Sequence, residues 1–177
     1  MFGWCFLDLK SLIRDVPDYP SDGILFRDLT PLMANPEAMH YVTGELSDHL
    51  RALDTRAIAA IDSRGFIFGA PVAAMLGIPF IPIRKAGKLP PPVIGVEYAL
   101  EYGKARLEIS TESVVEGQRV AVIDDLLATG GSAGAGVQLV TSLGAEVVST
   151  AFLVELEFLN GREALPAGLD VFSMVKY

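Results

Sequence analysis

An α/β fold, with a mostly parallel twisted sheet flanked by helices, is predicted by three features of this sequence. Short, wholly apolar runs recur at Ala57 to Ile61, Ile78 to Ile83 and Val120 to Ile123, as expected of strands buried on both faces. Helical spacing follows two of them, over Phe66 to Leu76 and at Ala133, Val137, Val140 and Leu143. Each apolar run ends in polar or charged residues: Asp62-Ser63-Arg64, Arg84-Lys85 and Asp124-Asp125. Ligands of open parallel sheets bind outside the carboxyl ends of the strands. The three clusters are therefore expected to converge on one edge, two bringing cations and one bringing anions.

Composition narrows the class. The chain has 177 residues, 51% of them apolar, which is enough for one domain with a core of its own. Its formal net charge of -8 argues against broad binding to nucleic acid or anionic membranes. No apolar run is long enough to span a bilayer. The single cysteine, Cys5, allows no intramolecular disulfide and fits a reducing cytoplasm. The opening MFGWCFLDLK lacks an early cationic region and reads as the start of a helix rather than a signal peptide. Trp4 and Cys5 are read as packing residues.

In chain order, Leu9, Leu12 and Ile13 suggest a short helix that ends before Pro17 and Pro20. Ile24 to Phe26 reads as a short strand, followed by Arg27 and Asp28. Pro36 to Leu53 reads as an amphipathic helix with proline in its first turn. That helix carries His40 and His49, nine residues apart and without metal-ligand spacing, so both are read as ordinary helix residues. Pro79 and Pro82 interrupt the second apolar run and weaken the case for a regular central strand there. Arg84, Lys85 and Lys88 form the densest basic cluster, beside Gly87 and Pro90 to Pro92, and suit a charged lid. Pro92 to Ile109 alternates as a hairpin turning near Gly103. Glu146 to Val154 is the last long apolar strand. Leu156 to Leu165 reads as a short helix and Val171 to Val175 as an edge strand.

The stretch Val120 to Gly136, VAVIDDLLATGGSAGAG, carries the chemistry. A buried strand meets two adjacent carboxylates, then a small flexible turn, then a helix. The turn lets backbone N–H groups and the positive helix end face an anion. The carboxylates accept hydrogen bonds from hydroxyls or sit near Mg²⁺. Hydroxyls beside a phosphate describe a sugar phosphate. The same pattern also occurs in βα turns that bind nothing. The stretch contains neither a P-loop Gly-Lys-Ser/Thr nor a G-x-G-x-x-G.

These residues resemble the 5-phosphoribosyl 1-pyrophosphate (PRPP) signature of the type I phosphoribosyltransferases. VIDDLLATGG is especially similar to the adenine phosphoribosyltransferases of that family. The blocks PDYPSDGILFRDLTPL, DSRGFIFGAPVA, IRKAGKLP, LEYGKARLEI and LVELEFLNGREAL agree in order and spacing, from about Asp8 onward. The first ten or so residues, the short Asp54-Thr55 connection and the stretch Pro91 to Val96 depart from the family pattern.

The resemblance implies a type I phosphoribosyltransferase fold in one domain, 1–177, with an N-terminal hood (1–35), a β-hairpin flap (84–109) and a PRPP loop (120–136). It implies transfer of the phosphoribosyl group from PRPP to adenine, giving AMP and pyrophosphate, in purine salvage. The 5-phosphate would bind Ala128, Thr129, Gly130, Gly131 and Ser132, and the ribose hydroxyls Asp124 and Asp125. Pyrophosphate would meet Ser63, Arg64, Arg84, Lys85 and Lys88, beside a non-proline cis peptide just after Asp62. Adenine would stack on Phe26, meet Leu126 on its other face, and be read by backbone groups at Leu25 and Arg27. Glu101 would take the proton from N9, with Tyr102 its catalytic neighbour. Mg²⁺ would be held mainly through PRPP and water, without a direct protein ligand. The LVELEFLNGREAL block would support the site or a dimer contact. A cytoplasmic homodimer with no nucleic-acid or membrane partner is expected. Two other readings stay open. One is an enzyme for another purine base, which the FRD and EYGKA segments disfavour. The other is a non-catalytic PRPP-binding regulator, which the acidic balance disfavours.

Overall fold

The computed structural model describes residues 7–99 and 103–177. The chain divides into two compact units, Met1–Glu45 and Leu46–Tyr177.

In the first unit, Leu9–Leu12 is a single 3-10 turn, shorter than the helix the apolar spacing suggested. The chain then extends at once into β1, Arg14–Pro17, which pairs antiparallel with β2, Leu25–Asp28. Strand β1 is not legible in the sequence, because RDVP has neither apolar alternation nor a free N–H at its proline. Arg14 and Asp28 stand opposite each other in that register and form an ion pair at 2.6 Å. Arg27 pairs with Asp15. The short helix α1, Thr30–Met33, follows, its Thr30 N–H donating to Asp28 Oδ1 at 2.9 Å. Helix α2, Pro36–Ala52, which starts in the first unit and continues into the second, begins where its proline needs no hydrogen-bond partner, and Asn35 Oδ1 accepts the N–H groups of Glu37 and Ala38.

The second unit is the sheet and its helices. In chain order they are β3 (Ala57–Ile61), α3 (Gly65–Leu76), β4 (Phe80–Lys85), β5 (Val93–Ala99), β6 (Lys104–Ser110), β7 (Arg119–Leu127), α4 (Gly131–Ser142), β8 (Glu146–Glu155) and β9 (Asp170–Lys176). Among the described residues they form one sheet in the order β5-β6-β4-β3-β7-β8-β9. The five strands from β4 to β9 run parallel, and the hairpin β5–β6 adds the antiparallel margin. Pro79 and Pro82 do not prevent β4 from pairing with β3, where Ala60 stands opposite Pro82.

Alternation explains why β3 is apolar throughout. Gly69 of α3 approaches Ile58 and Ala60, while Gly136 of α4 approaches Ile61. Successive residues of the strand thus serve helices on opposite faces. All five residues of β3 are at most 2% exposed.

Two boundaries differ from expectation. Strand β7 does not stop at Ile123 but runs through the acid pair to Leu127, because β8 continues to pair with it. Leu156 to Leu165 forms two 3-10 turns, Glu157–Leu159 and Gly161–Ala164, instead of one helix. Asn160 between them takes a left-handed φ of 51°, which ends the first turn.

Candidate active site

Strands β4, β3 and β7 are parallel neighbours, so their carboxyl ends lie side by side on one edge of the sheet. There Asp62-Ser63-Arg64, Arg84-Lys85 and Asp124-Asp125 come together. The Asp62–Ser63 peptide is cis, as the family resemblance implies.

The acid pair lies within the strand, where consecutive side chains face opposite ways. Asp125 meets Arg64, whose Nε lies 2.9 Å from Oδ2 as an ion pair outside hydrogen-bond alignment. Asp124 lies toward Tyr98 of β5, and its carboxylate raises the tyrosine's pKa after the larger effect of burial. Asp124 is 8% exposed and Asp125 4%. Burial holds the Asp124 carboxyl well above its ordinary range, and the neighbouring Asp125 charge adds to this. Burial also raises Asp125, but Arg64 offsets part of the effect. Gly65 brings the start of α3 against this pair: a Cβ there would sit 2.8 Å from the Ile123 carbonyl oxygen.

Beyond Leu127 the chain turns into α4. Gly130 caps this helix with φ 82°, and no side chain caps it. The first N–H groups of α4 thus lack an intrahelical acceptor. They border a cavity of about 270 Å³ lined by Tyr98, Ala99, residues 126–132 and Leu159. Its volume and its donors suit a phosphate group. Tyr98 and Leu159 were not foreseen as lining residues. Tyr98 is one of several alternating hairpin residues, and Leu159 comes from a 3-10 turn distant in sequence.

The cationic residues are partly committed. Arg84 donates from Nε to Asp62 Oδ2 at 3.1 Å and lies over the Phe66 ring, 5.9 Å from its centroid. Lys85 and Lys88 are exposed, and among the described residues neither has an acidic partner. The turn that carries them is fixed by Glu108 of β6, whose Oε2 accepts the Gly87 N–H at 2.9 Å. That bond, followed by the one from Arg106, lowers the pKa of Glu108.

In the first unit Phe26 stands edge-on to Tyr19, with ring centroids 5.2 Å apart, and Leu25 is exposed. Glu101 and Tyr102 lie outside the described residues, as do Trp4 and Cys5. Among the described residues no three His, Cys, Asp or Glu side chains are grouped as a metal site. The oxygen donors of the acid pair are of the kind that suits Mg²⁺.

Comparison with known proteins agrees with this architecture. The phosphoribosyl transferase domain family matches residues 32–167. An adenine phosphoribosyltransferase from a Cyanothece strain is 53% identical over 160 residues, covering 90% of this chain and 94% of that protein. The crystal structure of the adenine phosphoribosyltransferase of Thermoanaerobacter pseudethanolicus is similar with a TM-score of 0.91 at 48% identity, covering 96% of this chain and 98% of that one. The Saccharomyces cerevisiae enzyme, solved with an imino-altritol bisphosphate and adenine, is similar with a TM-score of 0.89 at 39% identity, covering 94% and 96% of the two chains. The parallel sheet, the acid pair entering a glycine turn, and likeness along almost its whole length agree: the chain belongs to the adenine phosphoribosyltransferases of the phosphoribosyl transferase domain family.

Proposed function

We propose that this chain carries out its family's reaction, transfer of the 5-phosphoribosyl group from PRPP to adenine, through the residues at the carboxyl edge of the sheet. The observation that carries the assignment is the uncapped start of α4, which opens on a cavity beside two buried carboxylates. The 5-phosphate accepts hydrogen bonds from the loop Ala128–Ser132. The ribose hydroxyls donate to Asp124 and Asp125, whose burial strengthens such bonds. Ser63, Arg64, Arg84, Lys85 and Lys88 receive the pyrophosphate, and Lys85 and Lys88, without an acidic partner among the described residues, are the charges most readily available to it. By family resemblance adenine is assigned to Leu25, Phe26, Arg27 and Leu126.

The bond from ribose C1′ to pyrophosphate oxygen breaks and the bond from adenine N9 to C1′ forms. The N9 proton passes to Glu101, beside Tyr102. Charge stabilisation and positioning supply most of the rate. Asp124 and Asp125 would border a Mg²⁺ ion held mainly through PRPP and water, which would supply positive charge to offset that of the pyrophosphate. By family resemblance we place the enzyme as a homodimer, and its single cysteine is in keeping with a cytoplasmic location.

The test is pyrophosphate release by the purified protein with PRPP and Mg²⁺, offered adenine, hypoxanthine or guanine separately. Release with adenine alone, lost in Glu101→Ala, is expected. Release with hypoxanthine or guanine in place of adenine overturns the base assignment, and saturable PRPP binding without release overturns the catalytic reading.

A further inference from the structure

We propose that Gly161, held by Arg162, is a positioning residue for the 5-phosphate loop: the turn Gly161–Ala164 is the floor on which Ala128–Ser132 rests. The inference rests on assigning the 5-phosphate to that loop.

The two segments meet main chain to main chain. A Cβ on Gly130 would lie 2.2 Å from the Gly161 carbonyl oxygen and 2.7 Å from Ala164 Cβ. A Cβ on Gly161 would lie 2.2 Å from the Ala128 carbonyl oxygen and 3.0 Å from Leu127 Cγ. Gly130 therefore admits the Gly161 carbonyl, and Gly161 admits the Ala128 carbonyl, where any side chain would collide. Gly134, in the first turn of α4, sits equally close to the turn: its Cβ would be 2.9 Å from the Ala164 carbonyl oxygen. The contact thus reaches both the loop and the start of the helix whose N–H groups face the cavity.

The floor is itself anchored. Arg162 donates from Nε and Nη2 to the two oxygens of Glu155, at 2.6 and 2.7 Å. Glu155 is 3% exposed and ends β8, where it stands opposite Leu127 of β7. Leu127 accepts the Leu156 N–H at 2.9 Å. Loop and floor therefore leave the sheet from paired residues on neighbouring strands, and the two-pronged Arg162–Glu155 contact closes the circuit between them. Phosphate held by fixed backbone donors is sensitive to displacement of those donors. A shift of the floor should weaken ligands that carry the 5-phosphate and spare those that do not.

Gly161→Ala is compared with wild type by its KM for PRPP and for adenine, and by calorimetric Kd for AMP and for pyrophosphate, with the thermal midpoint read alongside. The expected result is a rise of roughly 10- to 100-fold in the PRPP and AMP constants together, with adenine and pyrophosphate nearly unchanged. Arg162→Lys keeps the charge and loses the two-pronged geometry, so it should show the same split at smaller size. Folded Gly161→Ala with wild-type PRPP and AMP constants overturns the proposal. An equal loss in all four constants also does so. If Gly161→Ala yields no folded protein, Arg162→Lys decides by the same split. Ser132→Asp, which sets a negative charge in the loop, is measured in parallel. An unchanged PRPP constant there overturns the loop assignment itself. A raised one beside an unchanged Gly161→Ala overturns only the floor.

Discussion

Asp124→Asn should stabilise the ligand-free protein while damaging its activity, and the reason lies in the acid pair. Asp124 Oδ1 accepts the Asp125 N–H at 2.8 Å, and an amide oxygen keeps that bond. The other oxygen becomes an NH₂, so a buried carboxylate beside the Asp125 charge is replaced by a neutral group. A hydrogen bond to a charged group is worth about 1.5–3 kcal/mol, and relief of the buried charge is taken to be of that order. In a domain of this size each kcal/mol moves the midpoint by about 2–4 °C.

The sign of the pH dependence follows from the raised carboxyl. Between its ordinary value in the unfolded chain and its raised value in the fold, the native state binds more protons than the unfolded state. Wild-type stability therefore falls as pH rises through that window, and the variant escapes this fall. The gap between them should be small near pH 4 and widen toward pH 8, starting from about 3.9, the ordinary carboxylate value. On the proposed role of Asp124, a similar energy is lost when the ribose hydroxyls meet an amide instead of a carboxylate. Turnover at low PRPP should accordingly fall roughly 10- to 150-fold, at about 1.4 kcal/mol per decade. Thermal melts from pH 4 to 8 without ligand, with pyrophosphate release alongside, test both halves. A lower midpoint for the variant at pH 8, or a gap that does not change with pH, would refute the reasoning.

Two further outcomes can be checked by thermal unfolding. Gly69→Ala puts a methyl 2.6 Å from Ala60 Cβ in the contact of α3 with β3; overpacking costs about 1–3 kcal/mol, against a helix-propensity gain of about 0.5–1. A net loss is expected, and a raised midpoint would show that α3 moves away freely. Glu155→Gln removes the buried charge opposite Arg162. The Arg162 hydrogen bonds hold the Glu155 carboxyl below its usual range, so its stabilisation exists at neutral pH and disappears as pH falls through that lowered value. With Arg162 side chain 43% exposed, solvent screening limits the loss to about 1–2 kcal/mol at pH 7. A loss that persists unchanged at pH 3 would assign it to packing instead of charge.

What the sequence determined by itself was local and periodic. Ala57 to Ile61 has no polar residue, so it had to be covered on both faces, and the helical spacing that follows supplies a cover for one of them. The run from Val120 into a glycine turn and then a helix was legible because each part depends on its own few residues. Once the strands were parallel neighbours, the charges at their ends had to share one edge. The tertiary structure decided what depends on residues far apart in the chain. It carried β7 past its apolar run to Leu127, because β8 continued to pair with it. It formed β1 from a polar segment, because β2 supplied a partner. It joined Arg64 to Asp125 and Arg84 to Asp62, brought Tyr98 to the cavity at the start of α4, and laid Gly161 against Gly130. Periodicity reports which face of an element is buried. It carries no information about which distant backbone will approach within a van der Waals contact, and that distance shapes the loop from Ala128 to Ser132.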